Sequence, residues 1–282
     1  MFPEPFTLAR NTRVYIGQES WITVPRPRGA RGQFFILSGP GGAGGNGRTA
    51  ASGNRGGGGG GASGAISTLW LPTTEFTPKA LVAQLGGISS TTTSILALLV
   101  GEATSGASLL YANAGGAGGN GGASAGAAGS APGVMTTQAQ FEFQGVMAFN
   151  PGQAGVLGGA ATGAVGVDLT FGAAGVFTSG GAGGAGTSAA DFTGGGIVAG
   201  GPLVESLVGG AAGTFSGQRG FDFRYMVPMF STGGSGGGSS NLGTGGNGGD
   251  GGPGSGGGGG GGGVTGGTGG KGGPAFLIHH WW

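Results

Sequence analysis

Apolar positions along the chain fall into short runs closed by glycine, and few of them repeat at helical spacing. Thr12 to Ile16 and Ser20 to Val24 are β-branched and aromatic, the second ended by Pro25 and Pro27, which cannot donate to a ladder. Gln33 to Leu37 is a third strand, broken by Gly39-Pro40-Gly41. The unit then recurs. Ser108 to Tyr111 precedes Gly115–Gly129, Val165 to Phe171 leads into Gly172–Gly186, and Met226 to Phe230 leads into Gly233–Gly273. Phe276 to Trp282 closes the chain as a last strand. Pro78 to Leu85 is the exception: Leu81, Val82 and Leu85 also fit one face of a short helix. Strands separated by turn-rich stretches predict an all-β fold, a β-sandwich or jelly-roll-like body with little α-helix.

The glycine stretches keep a register. From Gly243 to Pro274 the non-glycine residues Thr244, Asn247, Asp250, Pro253, Thr265, Thr268, Lys271 and Pro274 share one phase of three; only Ser255 and Val264 leave it. Ala43 and Asn46, and Ala117, Asn120 and Ala123, repeat the pattern. A flexible linker has no reason to hold such a phase. A left-handed extended helix with three residues per turn does. Glycine on two of its three faces lets neighbouring helices approach for want of a Cβ, so that backbone groups bond between helices. The third face points the remaining side chains outward. This is polyglycine II, and those eight residues are the expected outward scaffold positions.

At about 3.1 Å per residue the last tract would form a rod of roughly 95 Å, against a radius of gyration of roughly 19 Å for a compact chain of this length. The register breaks at Ser255 and Val264 therefore predict reversals into three short helices packed side by side.

Composition narrows the class. The chain has 81 glycines among 282 residues, 7 % charged residues, a net charge of +1 and no cysteine. Collagen requires glycine at every third position only, whereas the tracts here are two-thirds glycine. Disordered chains combine high net charge with few aromatics, and this one has 16 Phe, 4 Trp and 3 Tyr in its apolar runs. So few charges favour permanent assembly with partners. Seven of the eleven basic residues (Arg10, Arg13, Arg26, Arg28, Arg31, Arg48, Arg55) lie in the first 55 positions, making that end about +5 and the rest about −4. No basic, then apolar, leader pattern opens residues 1–10, and the run Ile95 to Val100 is far short of the roughly 20 residues of a membrane span. Four regions result: 1–38, a basic β segment for docking; 39–232, strands alternating with glycine; 233–275, the long period-three tract; and 276–282, the closing strand.

Trp21-Ile22-Thr23-Val24-Pro25, the strand Phe34-Phe35-Ile36-Leu37 and the tract Gly39-Pro40-Gly41-Gly42-Ala43-Gly44-Gly45 together resemble glycine-rich phage tail proteins. The later alternation of apolar segments with glycine is similar to the distal tail-fibre adhesins of T-even-type phages, in which a polyglycine II sandwich holds variable receptor-binding loops. The Gly-Gly-Ala-Gly-Gly-Asn wording also resembles mycobacterial glycine-rich repeat proteins, whose N-terminal helical domain is missing here. The phage resemblance implies a virion protein, exposed on the particle, with other virion proteins and a host-cell receptor as partners and a homo-oligomer, a trimer, as its state. An architectural head or collar fibre and a bacterial glycine-rich surface protein are the alternatives.

Chemical motifs add little. Gly233-Gly234-Ser235-Gly236-Gly237 matches G-x-S-x-G, but no helix follows it and the histidines are confined to His279 and His280. Neither Lys79 nor Lys271 completes a phosphate-binding loop. Gly245-Gly246-Asn247-Gly248-Gly249-Asp250 begins like a calcium nonapeptide but has Gly252 where a large apolar residue is due. His279 and His280 are adjacent and on a strand point to opposite faces, which argues against a shared metal. The expectation is a non-enzyme without cofactor, metal, nucleic-acid partner or membrane insertion. Arg26, Arg28 and Arg31, with Trp281 and Trp282, are the candidates for docking on a neighbouring subunit. Receptor-contact candidates come from three stretches, Thr73 to Pro78, Gln138 to Phe149 and Gly217 to Tyr225. They are Phe76, Phe141, Phe143, Phe149, Phe221, Phe223 and Tyr225.

Overall fold

The computed structural model describes residues 11–17, 19–25, 27–72, 81–98, 108–133, 147–171, 177–198, 205–223 and 230–282. The fold is all-β, and no α-helix occurs among these residues. The first eight strands are β1 (Thr12–Ile16), β2 (Ile22–Val24), β3 (Gly32–Ser38), β4 (Ile66–Pro72), β5 (Leu81–Gln84), β6 (Ser94–Leu98), β7 (Ser108–Ala112) and β8 (Met147–Asn150). Short pieces follow as β9 (Leu169–Thr170), β10 (Ile197–Val198), β11 (Asp222–Phe223), β12 (Phe230–Ser231), β13 (Ser240–Thr244) and β14 (Gly263–Thr265), and β15 (Phe276–Trp281) ends the chain.

Two antiparallel sheets, ordered β1-β15-β3-β4-β8 and β2-β5-β6-β7, face each other. Alternation along β3 sends Phe35 and Leu37 into the gap, where they meet Leu69 and Leu71 of β4, Leu277 of β15 and Leu81, Leu96 and Leu110 of the second sheet. Ile36, Ile66, Phe276 and Ile278 occupy the other face of the larger sheet and form a separate buried cluster. The last strand lies between β1 and β3, in register Ile278 opposite both Val14 and Ile36. The Pro78–Leu85 helix is not formed over its described part: residues 81–84 are a strand between β2 and β6. Leu81, Val82, Ala83 and Leu85 are all buried, a run that fits either period and is decided by two available ladder partners.

Glycine segments project from one end of this sandwich and pack as a polyglycine II lattice. In the 55–65 segment successive N–H groups aim at three different neighbours in turn. Gly57, Gly60 and Ser63 donate to the carbonyls of Gly159, Val156 and Gln153; Gly58, Gly61 and Gly64 to Gly260, Gly257 and Gly254; Gly59, Ala62 and Ala65 to Gly119, Gly116 and Asn113, all at 2.8–3.1 Å. A donor that returns to the same neighbour every third residue defines a helix of three residues per turn. Carbonyls of the same segment accept from Gly42 and Gly45, from Gly126 and Gly129, and from Gly181 and Gly184. Six neighbours surround it.

Among the described residues fourteen segments are tied together in this way. Four are interior: 55–65, 179–187, 232–240 and 254–263. Ten form a closed ring around them, in the order 39–48, 113–122, 124–130, 153–161, 164–168, 192–197, 207–213, 215–220, 245–252 and 265–275. The final tract does reverse at both breaks, at Pro253–Ser255 with Gly254 at φ +72° and at Gly263–Thr265. Its middle piece, Gly256–Gly263, is buried on all sides and carries no side chain.

The reason is distance. A Cβ on Gly58 would stand 2.0 Å from the Gly45 carbonyl oxygen, and one on Gly257 2.1 Å from that of Gly270. Inside the lattice the described side chains of segments 179–187 and 232–240 are small, such as Ala182, Ala185 and Ser235, and larger ones stand on the outward face. Thr244, Asn247, Asp250, Thr265, Thr268 and Lys271 are exposed as expected, and Pro274 is half-buried. Pro253 is the correction: it is buried, because it stands where the chain turns from the ring into the interior. The predicted strand over Val165–Phe171 also gives way, its first part being the ring segment 164–168 and only Leu169–Thr170 pairing as a strand. In the Met226–Phe230 strand, residues 226–229 lie outside the described residues.

Outward polar side chains close the ring's remaining donors. Asn247 Oδ1 accepts from the Thr268 N–H at 2.9 Å, Asp250 Oδ1 from Lys271 at 2.7 Å, and Asn46 Oδ1 from Gly269 at 2.9 Å. Two outcomes follow in urea titration of the purified chain. Gly58→Ala lowers stability by more than about 3 kcal/mol, because backbone and not a flexible side chain occupies the space. Asn247→Ala costs about 1 kcal/mol, while Thr268→Ala, whose side chain accepts no such bond, costs about zero.

Candidate interaction surfaces

The long axis has two ends of different character. At the sandwich's outer end Gly32 pairs with Pro72 and Trp281 with Gln33, and the Arg31 N–H donates to the Trp282 carbonyl at 2.5 Å. The β2–β3 connection therefore brings the exposed Arg31 to the Trp282 backbone, with the exposed Arg28 three residues earlier in the same connection. Trp282 is 47 % exposed and stacks on Trp70 of β4, itself 37 % exposed, at 6.4 Å between centroids. Its indole lies over Gly32, where a Cβ would stand 2.4 Å from the ring. The Arg13 guanidinium sits 5.7 Å from the centre of the half-buried Trp281 ring. Arg31 and Trp282, far apart in sequence, are thus neighbours; Trp70 joins them on the outer face of the sheet, and Arg13 meets Trp281 on the inner one. Trp70 had no signal of its own, since it is one aromatic in a strand. Arg26 lies outside the described residues.

The two histidines part as alternation requires. His280 faces outward with Nδ1 at 2.8 Å from Thr12 Oγ1, whereas His279 is fully buried inside the sandwich. His279 Nε2 is 2.9 Å from Gln33 Oε1, and its ring stacks on Phe35 at 4.5 Å. Burial first, and then the Arg13 and His280 charges, hold its pKa down to about 4.

The receptor-contact candidates are scattered. Phe149 is half-buried on β8 opposite Ser67, and Phe221 packs half-buried against a second apolar cluster of Leu169, Phe171, Ala182, Ile197 and Leu207. Phe223 stands opposite Phe230 in the β11–β12 pair. Phe76, Phe141, Phe143 and Tyr225 lie outside the described residues. A shallow groove of about 390 Å³ opens next to that cluster, between the 164–168, 192–197 and 207–213 segments, with Asp168 at its edge bound to the Gly196 N–H at 2.6 Å.

The opposite end of the lattice is closed by short connections, among them 49–54, 122–124 and 161–163, and by the paired β13 and β14. Leu242 there is 91 % exposed. Beneath the turns lies Arg55, only 2 % exposed, whose Nη1 donates to the Asn241 carbonyl at 2.8 Å and Nη2 to that of Ala51 at 3.0 Å. Its backbone also exchanges two bonds with Thr187. The charge thus neutralises turn carbonyls that the lattice leaves unpaired.

No protein-family model matches the chain, and no curated protein does either.

Thermal melts provide the check on Arg55. Arg55→Met, which keeps the bulk and removes the donors, is expected to lower stability by about 2–4 kcal/mol, and Arg48→Met at the exposed rim by less than about 0.5 kcal/mol.

Proposed function

We propose that the chain is a non-enzymatic virion protein of a bacteriophage, a tail-fibre or fibre-tip component. It docks on the particle through the outer end of its sandwich and holds host-contacting loops on a glycine lattice. The observation that carries this reading is the division of labour along the axis. Arg28, Arg31, Trp281 and Trp282 gather at one end, and the lattice leads away from it. Exposed indoles with basic neighbours suit a subunit contact, because each Trp brings large apolar area and Arg adds charge-directed bonds. The 55–65 segment alone carries the backbone about 34 Å along the axis. A rigid block whose bonds are internal suits a projecting part better than a flexible linker would.

The resemblance to polyglycine II adhesins supports the receptor-binding half of the reading. Within it, the stretches around Phe149 and Phe221–Tyr225 and the free end at Leu242 are the places for host contact. Assembly as a homo-oligomer, with a trimer as the simplest fibre symmetry, belongs to the same proposal. The alternative of an architectural head or collar fibre has one observation in its favour: Asn46, Asn247 and Asp250, the polar groups along one flank, are already engaged by the lattice.

Two sets of particles separate the parts. Trp281→Ala with Trp282→Ala and Arg31→Gln is expected to give a chain that folds but is lost from purified particles. Exchange of residues 222–225 and 242, which lie outside the lattice segments, is expected to leave incorporation intact and change adsorption to host cells at least tenfold. Normal incorporation of the first set would overturn docking through this end. Unchanged adsorption by the second would favour the architectural reading.

A further inference from the structure

Among the described strands β1 lies at the edge of its sheet and pairs with β15. Arg13 and His279 are direct partners across that pair. His279 is fully buried, yet its Nδ1 meets no hydrogen-bond partner, and the buried hydroxyl of Tyr15, two residues along β1 from Arg13, meets none either. The groups that surround the imidazole are Arg13 from β1, Gln33 and Phe35 from β3, and Trp281 from its own strand. His280 lies behind it on the outer face, bound to Thr12. The opposing sheet contributes apolar residues such as Val24, Leu81 and Leu96. Among the described residues none of these partners is a carboxylate.

As the neutral ring, with Nε2–H donated to Gln33, His279 leaves Nδ1 a bare acceptor. As a cation both nitrogens are donors, and Nδ1–H would point where no acceptor stands. It would also face the Arg13 guanidinium across one strand pair. We propose that β1 is an acid-released latch: protonation of His279 drives Arg13 and its strand away from β15. Peeling admits water to the imidazole and uncovers the backbone edge of β15.

The sign agrees. The folded-state pKa of about 4 lies below the ordinary 6.5, so the closed latch binds the proton less readily than the open one. Closure is therefore at full strength above about pH 6.5 and weakens as pH falls toward 4, by up to tenfold per unit. Between pH 7 and 4.5 the opening equilibrium rises on the order of 50–100-fold.

Hydrogen exchange on the full chain, read as protection factors so that the intrinsic pH effect cancels, provides the test. Amides of residues 12–16 are expected to lose on the order of 50–100-fold in protection between pH 7 and 4.5, while β5, β6 and the lattice keep theirs. His279→Phe retains the stack on Phe35 and should hold β1 closed at pH 4.5. Arg13→Gln, a surface-edge change that decides the matter if the first variant does not fold, should cut the loss several-fold. Unchanged β1 protection at pH 4.5 in the natural chain would overturn the latch. So would loss of protection in all strands together, or an Arg13→Gln variant that opens as the natural chain does.

Discussion

Contact between backbones without an intervening Cβ is the condition on which the lattice depends. Each interior segment meets its neighbours so closely that a methyl group placed on Gly58, Gly61 or Gly257 would fall about 2 Å from a carbonyl oxygen. At that spacing the N–H of one segment reaches the C=O of the next at about 2.9 Å, and most buried backbone groups of the lattice are completed by backbone, with a few N–H groups, such as that of Gly233, donating to a serine hydroxyl instead. The arrangement replaces apolar burial with hydrogen bonds as the source of cohesion. Such bonds contribute modestly one by one, about 1 kcal/mol each, and glycine loses more chain entropy on ordering than any other residue. A single segment could not hold itself. Only the assembled block, in which every bond shares its neighbours' cost of ordering, is stable.

The sandwich supplies what the lattice lacks. β3 runs into the 39–48 segment, β7 into 113–122, and the 55–65 and 265–275 segments run into β4 and β15. Four segments are therefore pinned at one end by strands whose Phe35, Leu37, Leu69 and Leu277 share one apolar core. Those anchors set the axial register and the direction of the segments they join. The far end has a comparable device in Arg55, which collects the turn carbonyls that have no segment beyond them.

Polarity divides along the same lines. The ring's outward Asn and Asp side chains stabilise neighbouring N–H groups, so the presence of a polar residue on the lattice surface does not by itself mark a recognition site. At the sandwich's outer end the exposed groups are aromatic and basic, among them Trp70, Trp282, Arg28 and Arg31. Among the described residues, His279 is the histidine that the fold places wholly inside the sandwich, opposite a cation and beside an edge.

Much of this architecture was legible in the residues. The strands Thr12–Ile16, Gln33–Leu37 and Phe276–Trp281 follow from alternation and β-branching, and the three-residue phase from Thr244 to Pro274 told both the helix type and which positions face outward. Reversal at Ser255 and Val264 was legible for the same reason, since a break in phase rotates the side chains off their face. Other features needed the tertiary structure. Residues 81–85 fit strand and helix alike, and only the ladders of β2 and β6 chose. Val165 and Val167 read as strand because the same extended backbone serves both a sheet and a three-fold helix; the neighbours decide which. Pro253 keeps the phase yet is buried, since phase tells the face of a segment and not what stands against it. The gathering of Arg28, Arg31, Trp70 and Trp282 depends on β15 entering between β1 and β3, a pairing between chain ends that no local pattern records. Sequence alone thus determined the conformation of each segment, because glycine and its phase act within a few residues. Which segments lie inside, which end is aromatic, and what His279 faces were decided only by long-range packing.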